Sequence, residues 1–244
     1  MEGTTQSNPS SNLVRAVEVQ DIREHVKIMP FEQMATKHGF LAKVAGPQIQ
    51  LPVMRVPWDC FRIDVNNSGA KTAQLTLSFE NGNPEHEHLQ QVLAQIDEMA
   101  LEHIIAQKKV LEPKRDISET TIRDMYFPSV KESKDPMKYG PTMKTKLEVR
   151  PRPVGQLGAG GEGGGQGVDS DDPNVTHHIT LGTYMKDATP VPVERALAKG
   201  NKIITVIGIK HIWYINSRAG VTMFAHRMCV DEFPQTVRSF DFDL

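Results

Sequence analysis

The residues best suited to chemistry lie in one stretch, residues 126–152, where aromatic rings and cations alternate. Its rings are Tyr126, Phe127 and Tyr139, and its seven basic residues are Lys131, Lys134, Lys138, Lys144, Lys146, Arg150 and Arg152. Single-stranded nucleic acid binds where cations follow its phosphates and flat side chains lie under its bases. The stretch therefore predicts a surface for a nucleic-acid strand. The alternative is a solvated basic loop whose rings belong to the core.

The charge of the chain is unevenly distributed. The formal net charge is −2, but residues 161–172 carry four acids and no cation, and residues 231–244 carry four acids and one arginine. Without these two segments, 27 basic residues face 22 acidic ones, a net charge of +5. The composition therefore excludes a uniformly basic coat, and it allows a basic groove balanced by acidic segments elsewhere.

No enzymatic or metal-binding motif stands out. The chain has no P-loop, nucleophile elbow, HExxH motif or pair of carboxylates in an apolar setting. GAGGEG at 158–163 matches GxGxxG only formally, because acids and a proline follow it where a helix should begin. His86 and His88 are two residues apart and point to different sides of a helix, so we interpret them as structural or solvated histidines. We expect no catalysis, metal or cofactor.

Compartment signals are weak but consistent. Cys60 and Cys229 are the two cysteines, which favours a reducing compartment, although a single bridge stays possible. No run approaches the roughly 18 apolar residues of a membrane helix, and the polar start lacks an apolar signal core. The sequence indicates a soluble intracellular protein.

The elements that must position these side chains are mainly strands, with one long helix. Residues 51–58, 60–67 and 71–79 are β-type and most simply form a meander. Asn83 is a good N-cap for a helix that runs to about residue 107 and carries an apolar stripe from Leu89 to Ala100. In the strand 143–149, Lys144 and Lys146 share one face and apolar residues take the other. We predict a disordered N-terminus over 1–18, one domain over 19–232 with a mobile Gly-rich loop at 155–174, and a tail at 233–244.

A long β-hairpin supplies further candidates. Residues 202–216 are rich in β-branched residues, and SRAG turns this strand into a second one at 221–230. The hairpin residues that are candidates for strand binding are three rings, Trp213, Tyr214 and Phe224, and three cations, Lys210, Arg218 and Arg227. At least one ring belongs to the core, and the sequence leaves open which of Trp213 and Tyr214 faces outward.

The last residues alternate acids with phenylalanines. Such a tail can occupy a basic groove or dock on a partner. A terminal strand followed by disordered acids is the alternative.

The early strands and long helix, KYGPTMKTKL, IGIKHIWYIN and the acidic phenylalanine-containing tail together resemble the single-stranded-DNA-binding proteins of podovirus phages and their relatives in nucleocytoplasmic large DNA viruses. The resemblance implies a five-stranded OB-fold barrel with an inserted helix, a homodimer, and sequence-nonspecific binding of single-stranded DNA in viral replication, recombination and repair. It further implies action at viral replication sites in the host cytoplasm or nucleus. It places polymerase or helicase contacts in the tail, at Phe240, Asp241, Phe242 and Asp243. The final Leu244 departs from the family, whose tails end in an aromatic residue.

A viral structural or protein-interaction β-barrel without nucleic-acid binding is the competing function. The two functional hypotheses differ in one structural feature. Only the first requires the basic and aromatic side chains to share one open groove.

Overall fold

The computed structural model describes residues 13–35, 39–60, 63–65, 71–153 and 175–234. The early strands are β1 (Leu13–Arg15), β2 (Lys27–Gln33), β3 (Gly39–Ala45), β4 (Gln48–Gln50), β5 (Met54–Arg55), β6 (Ile63–Val65) and β7 (Lys71–Ser78). The later strands are β8 (Tyr126–Phe127), β9 (Val130–Lys131), β10 (Thr142–Leu147), β11 (Val149–Pro153), β12 (Val175–Ile179), β13 (Gly182–Met185), β14 (Lys202–Ile215) and β15 (Arg218–Glu232). The α-helices are α1 (Pro84–Ala106), α2 (Lys108–Leu111), α3 (Glu119–Asp124) and α4 (Val193–Ala196). Two 3-10 helices cover Ala16–Glu18 and Ile22–Glu24.

Five strands form a closed ring, and this ring is the centre of the fold. Going round it, β14 pairs with β5, β5 with β7, β7 with β10, β10 with β15, and β15 again with β14. The long helix α1 is inserted between β7 and the strands that follow it. The chain is thus mainly β with an OB-like ring and a helical insertion, which confirms the predicted fold class.

The meander predicted for the strands over 51–79 is present only in part, because β6 pairs antiparallel with β7 but β5 also pairs with β7 and with β14. β10 returns antiparallel to β7 only after the helical insertion, and it meets β15 in parallel through the single pair Lys146 and Phe224. β3, β4 and β5 all pair with different parts of β14, because that strand is 14 residues long. A meander pairs neighbours in sequence, whereas ring closure here depends on distant pairings.

The hairpin of β14 and β15 is tighter than predicted. Asn216 and Ser217 form a two-residue turn with φ values of 51° and 57°, and β15 already begins at Arg218. Two successive residues with positive φ are typical of the turn whose twist matches a β-hairpin. The register also shifts between Ile209 and His211, which leaves Lys210 in a bulge.

The long helix follows its sequence signals. The Asn83 side chain accepts hydrogen bonds from the backbone N–H groups of Glu85 and His86, and the predicted apolar stripe from Leu89 to Ala100 faces the core. The buried His86 accepts from the Glu80 N–H through Nδ1, and its Nε2 lies 2.8 Å from the Val53 carbonyl oxygen. The Nε2 of His88 lies 2.8 Å from the Val19 carbonyl oxygen. Both histidines therefore have structural hydrogen bonds.

The predicted boundaries change at the N-terminus. Residues 13–18 are ordered, contrary to prediction, because β1 pairs with β4 and Ala16 is fully buried in the core. Residues 1–12, the Gly-rich loop 155–174 and residues 235–244, which include Phe240, Asp241, Phe242 and Asp243, lie outside the described residues.

Three further findings concern the described residues. No helix among them is long and apolar enough to cross a membrane. Cys60 and Cys229 are both free. In the same part of the chain, no group of three or more His, Cys, Asp or Glu side chains could hold a metal ion.

Candidate nucleic-acid interface

An open groove runs along the tip of the β14–β15 hairpin and across β10 and β7. It has two adjoining chambers, with volumes of about 870 and 620 Å³. The chambers share six residues, Gln74, Lys144, Trp213, Ile215, Val221 and Met223. The larger chamber adds Phe127, Lys131 and Arg218, and the smaller adds Lys146 and His211. Cations and two aromatic rings from distant parts of the sequence therefore share one surface.

Two rings form the aromatic part of the groove. The centroids of Phe127 and Trp213 lie 6.0 Å apart with an angle of 30° between the planes, and the Arg218 guanidinium lies 5.7 Å from the Phe127 centroid. A base held between two rings needs about 6.8 Å, twice the rise of 3.4 Å between stacked bases. The two rings are therefore too close together for a base to lie between them. A base can stack only on the open side of the ring pair. Phe127 is 50% exposed.

Tyr126 does not line this groove, contrary to the sequence-based assignment. Successive residues of a strand point to opposite faces, so Phe127 faces the groove while Tyr126 faces α1. The Tyr126 hydroxyl donates a hydrogen bond of 2.7 Å to Asp97, and burial followed by the nearby Asp97 charge raises the pKa of Tyr126. Asp97 also accepts hydrogen bonds from the backbone N–H and the hydroxyl of Ser129, at 2.8 and 2.7 Å. Tyr126 thus anchors the segment that presents Phe127.

The side chains of the neighbouring residues Trp213 and Tyr214 likewise point to opposite faces of their strand. Tyr214 is only 4% exposed and donates a hydrogen bond of 2.9 Å to Glu112, so it belongs to the core and its assignment to the interface is wrong. Burial and the hydrogen bond to Glu112 raise the pKa of Tyr214 to about 12. Trp213 is on the opposite face of β14 and lines both chambers.

Gly220 makes room for the aromatic pair. It is the register partner of Trp213 on β14 and of Phe127 on β8. A Cβ atom at this position would lie 2.9 Å from Cζ2 and 3.1 Å from Cε2 of Trp213, and 3.2 Å from the Phe127 carbonyl oxygen. A glycine inside a strand often marks such a close approach, so Gly220 is a sequence signal for this contact.

Gly220→Ala should therefore displace the Trp213 ring and weaken oligo-dT binding by about 1 kcal/mol, the lower end of a stacking contribution. Trp58 and Trp213 are the two tryptophans, so in a Trp58→Phe background the fluorescence emission reports on Trp213 alone. We expect a shifted emission spectrum together with weaker binding.

Gly208→Ala is the matched control for Gly220→Ala. It is the same change in the same hairpin, but the three atoms nearest to its Cβ would all belong to the ring of the exposed His226, which can move. Equal effects of the two substitutions on binding and emission would contradict the role of Gly220.

Among the residues that the structure describes, four cations line the groove. They are Lys131, Lys144, Lys146 and Arg218. None of the four forms a salt bridge with an acid in the described part of the chain. As predicted for the 143–149 strand, Met143, Thr145 and Leu147 are buried while Lys144 is exposed and Lys146 half-buried. These positive charges are therefore available to an anionic ligand.

The remaining sequence-based candidates lie beside the groove or away from it. Lys134, Lys138 and Tyr139 are exposed in the 132–141 loop, with the Lys138 ammonium 5.1 Å from the centroid of the Tyr139 ring. Lys210 and Phe224 line a separate depression of about 310 Å³, where the Lys210 ammonium lies 4.4 Å from the Phe224 centroid.

Two arginines are engaged elsewhere. The Arg150 guanidinium binds Glu148 at 3.0 Å, and Arg227 contacts the Gln48 side chain at 3.5 Å. Neither arginine lines the two chambers.

Gln74 and His211 are two of the groove residues that were not predicted from the sequence. Gln74 lies on the outward face of β7, opposite Lys146 of β10, and it lines both chambers. The alternation along β7 placed Gln74 outside the core, but nothing in the sequence showed that β10 would lie next to it. His211 had no sequence signal.

Comparison with known proteins supports the fold. No protein-family model matches the chain, and no curated protein matches it. Its structure is similar to that of gp2.5, a single-stranded DNA-binding protein encoded by bacteriophage T7, with a TM-score of 0.50 and 13% identity over 75% of this chain and 91% of that one. The single-stranded DNA-binding protein of bacteriophage Enc34 gives TM-scores of 0.37 in complex with single-stranded DNA and 0.41 as a C-terminal truncation. In both comparisons the identity is 11%, over 85% of this chain and 96% of that one. At these identities the similarity concerns the fold and not individual residues.

Proposed function

We propose that this chain binds single-stranded DNA without sequence preference and catalyses no reaction. The observation that carries the proposal is the groove, which brings the aromatic pair and four cations with no described salt bridge onto one open surface. The competing structural or interaction module does not require this arrangement. The fold shared with the T7 protein, whose name describes a single-stranded DNA-binding protein, supports the same proposal.

The groove residues act by two separable forces. The cations neutralise phosphates and release counterions, so their contribution decreases as the salt concentration rises. The rings stack on bases, at about 1–3 kcal/mol per base, and every base offers a flat face. Sequence preference should therefore be weak.

The cellular role follows from this activity only as a further proposal. Protecting and organising single strands suits viral DNA replication, recombination and repair, in the host cytoplasm or nucleus. A homodimer, a relationship to proteins of nucleocytoplasmic large DNA viruses, and contacts of the tail with a polymerase or helicase stay predictions. Sedimentation at several protein concentrations tests the dimer.

Fluorescence polarisation with labelled oligo-dT, duplex DNA and single-stranded RNA, across a salt series, tests the proposed activity. Four phosphate contacts predict a log–log salt slope of about −2.8 for oligo-dT, at −0.7 per contact. Salt-sensitive binding of oligo-dT in preference to duplex DNA would support single-strand binding. No binding of any of the three, with or without the tail, would favour the structural or interaction module.

Removal of residues 235–244 should tighten oligo-dT binding slightly if the tail competes for the groove. The deletion begins at 235 because the Phe233 ring packs 4.2 Å from the Arg195 guanidinium and Pro234 lies against Gly200. The segment carries only two acids and one arginine, so we expect an effect of about two-fold at low salt, absent at high salt.

A second tail variant separates ring competition from charge competition. Phe240→Ala with Phe242→Ala keeps the tail charges and removes its rings. Tightening by this variant assigns the competition to stacking. Weaker or unchanged binding by the deletion would contradict an autoinhibitory tail.

A further inference from the structure

One residue in the groove can change its charge near neutral pH. His211 lines the smaller chamber beside Lys144, Lys146 and Trp213. Among the described residues that line the two chambers, it is the only histidine. An unperturbed histidine titrates at about pH 6.5, so the surroundings decide whether this one is charged.

The surroundings of His211 are almost entirely cationic. The neighbouring strand β10 presents Lys144 and Lys146 to the same chamber, and Lys210 is adjacent on β14. The register partner on β3 is Lys43, whose ammonium is 3.4 Å from Glu32 of β2. Uncharged neighbours complete the site, namely Gln74 of β7 and Thr222 of β15. The next depression holds Glu148 and His226.

In the empty groove the imidazole is neutral at pH 7. Burial, then Lys146 and then Lys210 lower the pKa of His211 to about 4. The last two of these causes depend on uncompensated positive charge. An anion in the chamber would compensate the lysines and accept a hydrogen bond from the ring, and both effects favour the imidazolium.

We propose that His211 is a phosphate contact that takes up a proton when a single strand enters the groove, so that binding is linked to protonation. This inference rests on the proposed function, because it needs a polyanion in this groove. It adds a binding residue that differs from the lysines, since its charge appears only with the ligand.

The sign of the linkage follows from the pKa of His211 in the free and in the DNA-bound protein. A group whose pKa is higher in the bound state takes up a proton on binding, and the affinity then rises as the pH falls. If phosphate returns the pKa of His211 to about 6.5, affinity for oligo-dT relative to pH 8 increases about four-fold at pH 6 and about thirty-fold at pH 5. Thymine carries no group that titrates between pH 5 and 8, so oligo-dT does not add its own protonation.

The experiment is an oligo-dT titration of the full chain from pH 8 to pH 5 at constant ionic strength, with His211→Gln and His226→Gln as a matched pair. His226 lies outside the two chambers, and burial, followed by the nearby Arg227 charge, lowers its pKa too. The proposal expects the pH dependence to disappear in His211→Gln and to persist in His226→Gln. Loss of the dependence in His226→Gln instead would overturn the assignment to His211.

A measurement on the unchanged protein decides the matter even if a variant does not fold. NMR titration of the His211 ring, free and saturated with oligo-dT, should show a higher pKa in the complex. Equal pKa values, or a wild-type affinity that does not change with pH, would overturn the linkage while leaving single-strand binding at pH 8 intact. Failure of the wild type to bind oligo-dT at pH 8 would instead overturn the proposed function, and this inference with it.

Discussion

Lys144→Glu combined with Lys146→Glu should weaken oligo-dT binding about 25-fold at 0.1 M salt, because two phosphate contacts at −0.7 each change the affinity by a factor of 0.1 to the power −1.4. The log–log salt slope should become shallower by about 1.4. Both lysines are on the outward face of β10, while its buried face packs in the core, so the fold should survive. Polarisation titrations at several salt concentrations measure the affinity and the slope, and thermal unfolding checks the fold.

Lys134→Glu combined with Lys138→Glu is the matched control for this double variant. It makes the same change of net charge in the exposed loop, where neither lysine lines the groove. We expect a smaller loss of affinity and little change of slope, since these charges act only through the general field. If both double variants show the same loss of affinity and the same decrease in salt slope, the DNA strand does not lie specifically in the groove.

Local sequence signals predicted the elements whose geometry repeats along the chain. The cap at Asn83 and the apolar stripe of α1 are set by contacts within a few residues, and the structure contains both. The alternation along β10 likewise separated Lys144 from its buried neighbours. Each of these signals is local to its own helix or strand, so no knowledge of distant partners was needed.

The faces of short aromatic pairs could not be predicted in this way. β8 has two residues, which are too few to show a period. Tyr126 points inward because its hydroxyl donates a hydrogen bond to Asp97, 29 residues earlier on α1. Tyr214 turns inward towards Glu112, 102 residues away. A buried phenol needs a hydrogen-bond partner, and the location of that partner depends on the tertiary fold.

The assembly of the groove depends on pairings that are distant in sequence. Gln74 lies opposite Lys146, and Gly220 lies between Trp213 and Phe127, only because β10 returns to β7 and β8 reaches β15. The sequence could therefore name all four groove cations and both of its rings. It could not show which of the named residues would meet, nor that His211 would lie among them.

Trp213→Ala should weaken oligo-dT binding by about 1–3 kcal/mol, or roughly 5- to 150-fold, because the larger ring of the aromatic pair is lost. The salt slope should stay unchanged, since no charge is removed. This combination separates stacking from phosphate neutralisation, which the lysine variants change through the slope. Trp213→Phe keeps a flat ring and should recover a large part of the loss.

Trp58→Ala is the control for the loss of a tryptophan. Trp58 is 49% exposed and lies outside both chambers, so its removal should leave oligo-dT affinity nearly unchanged. Equal losses from the two substitutions, or a changed slope in Trp213→Ala, would contradict base stacking on the Phe127–Trp213 pair. Stacking is the component of binding that salt does not screen. A loss of affinity in Trp213→Ala that persists at high salt is therefore expected only if bases as well as phosphates contact this groove.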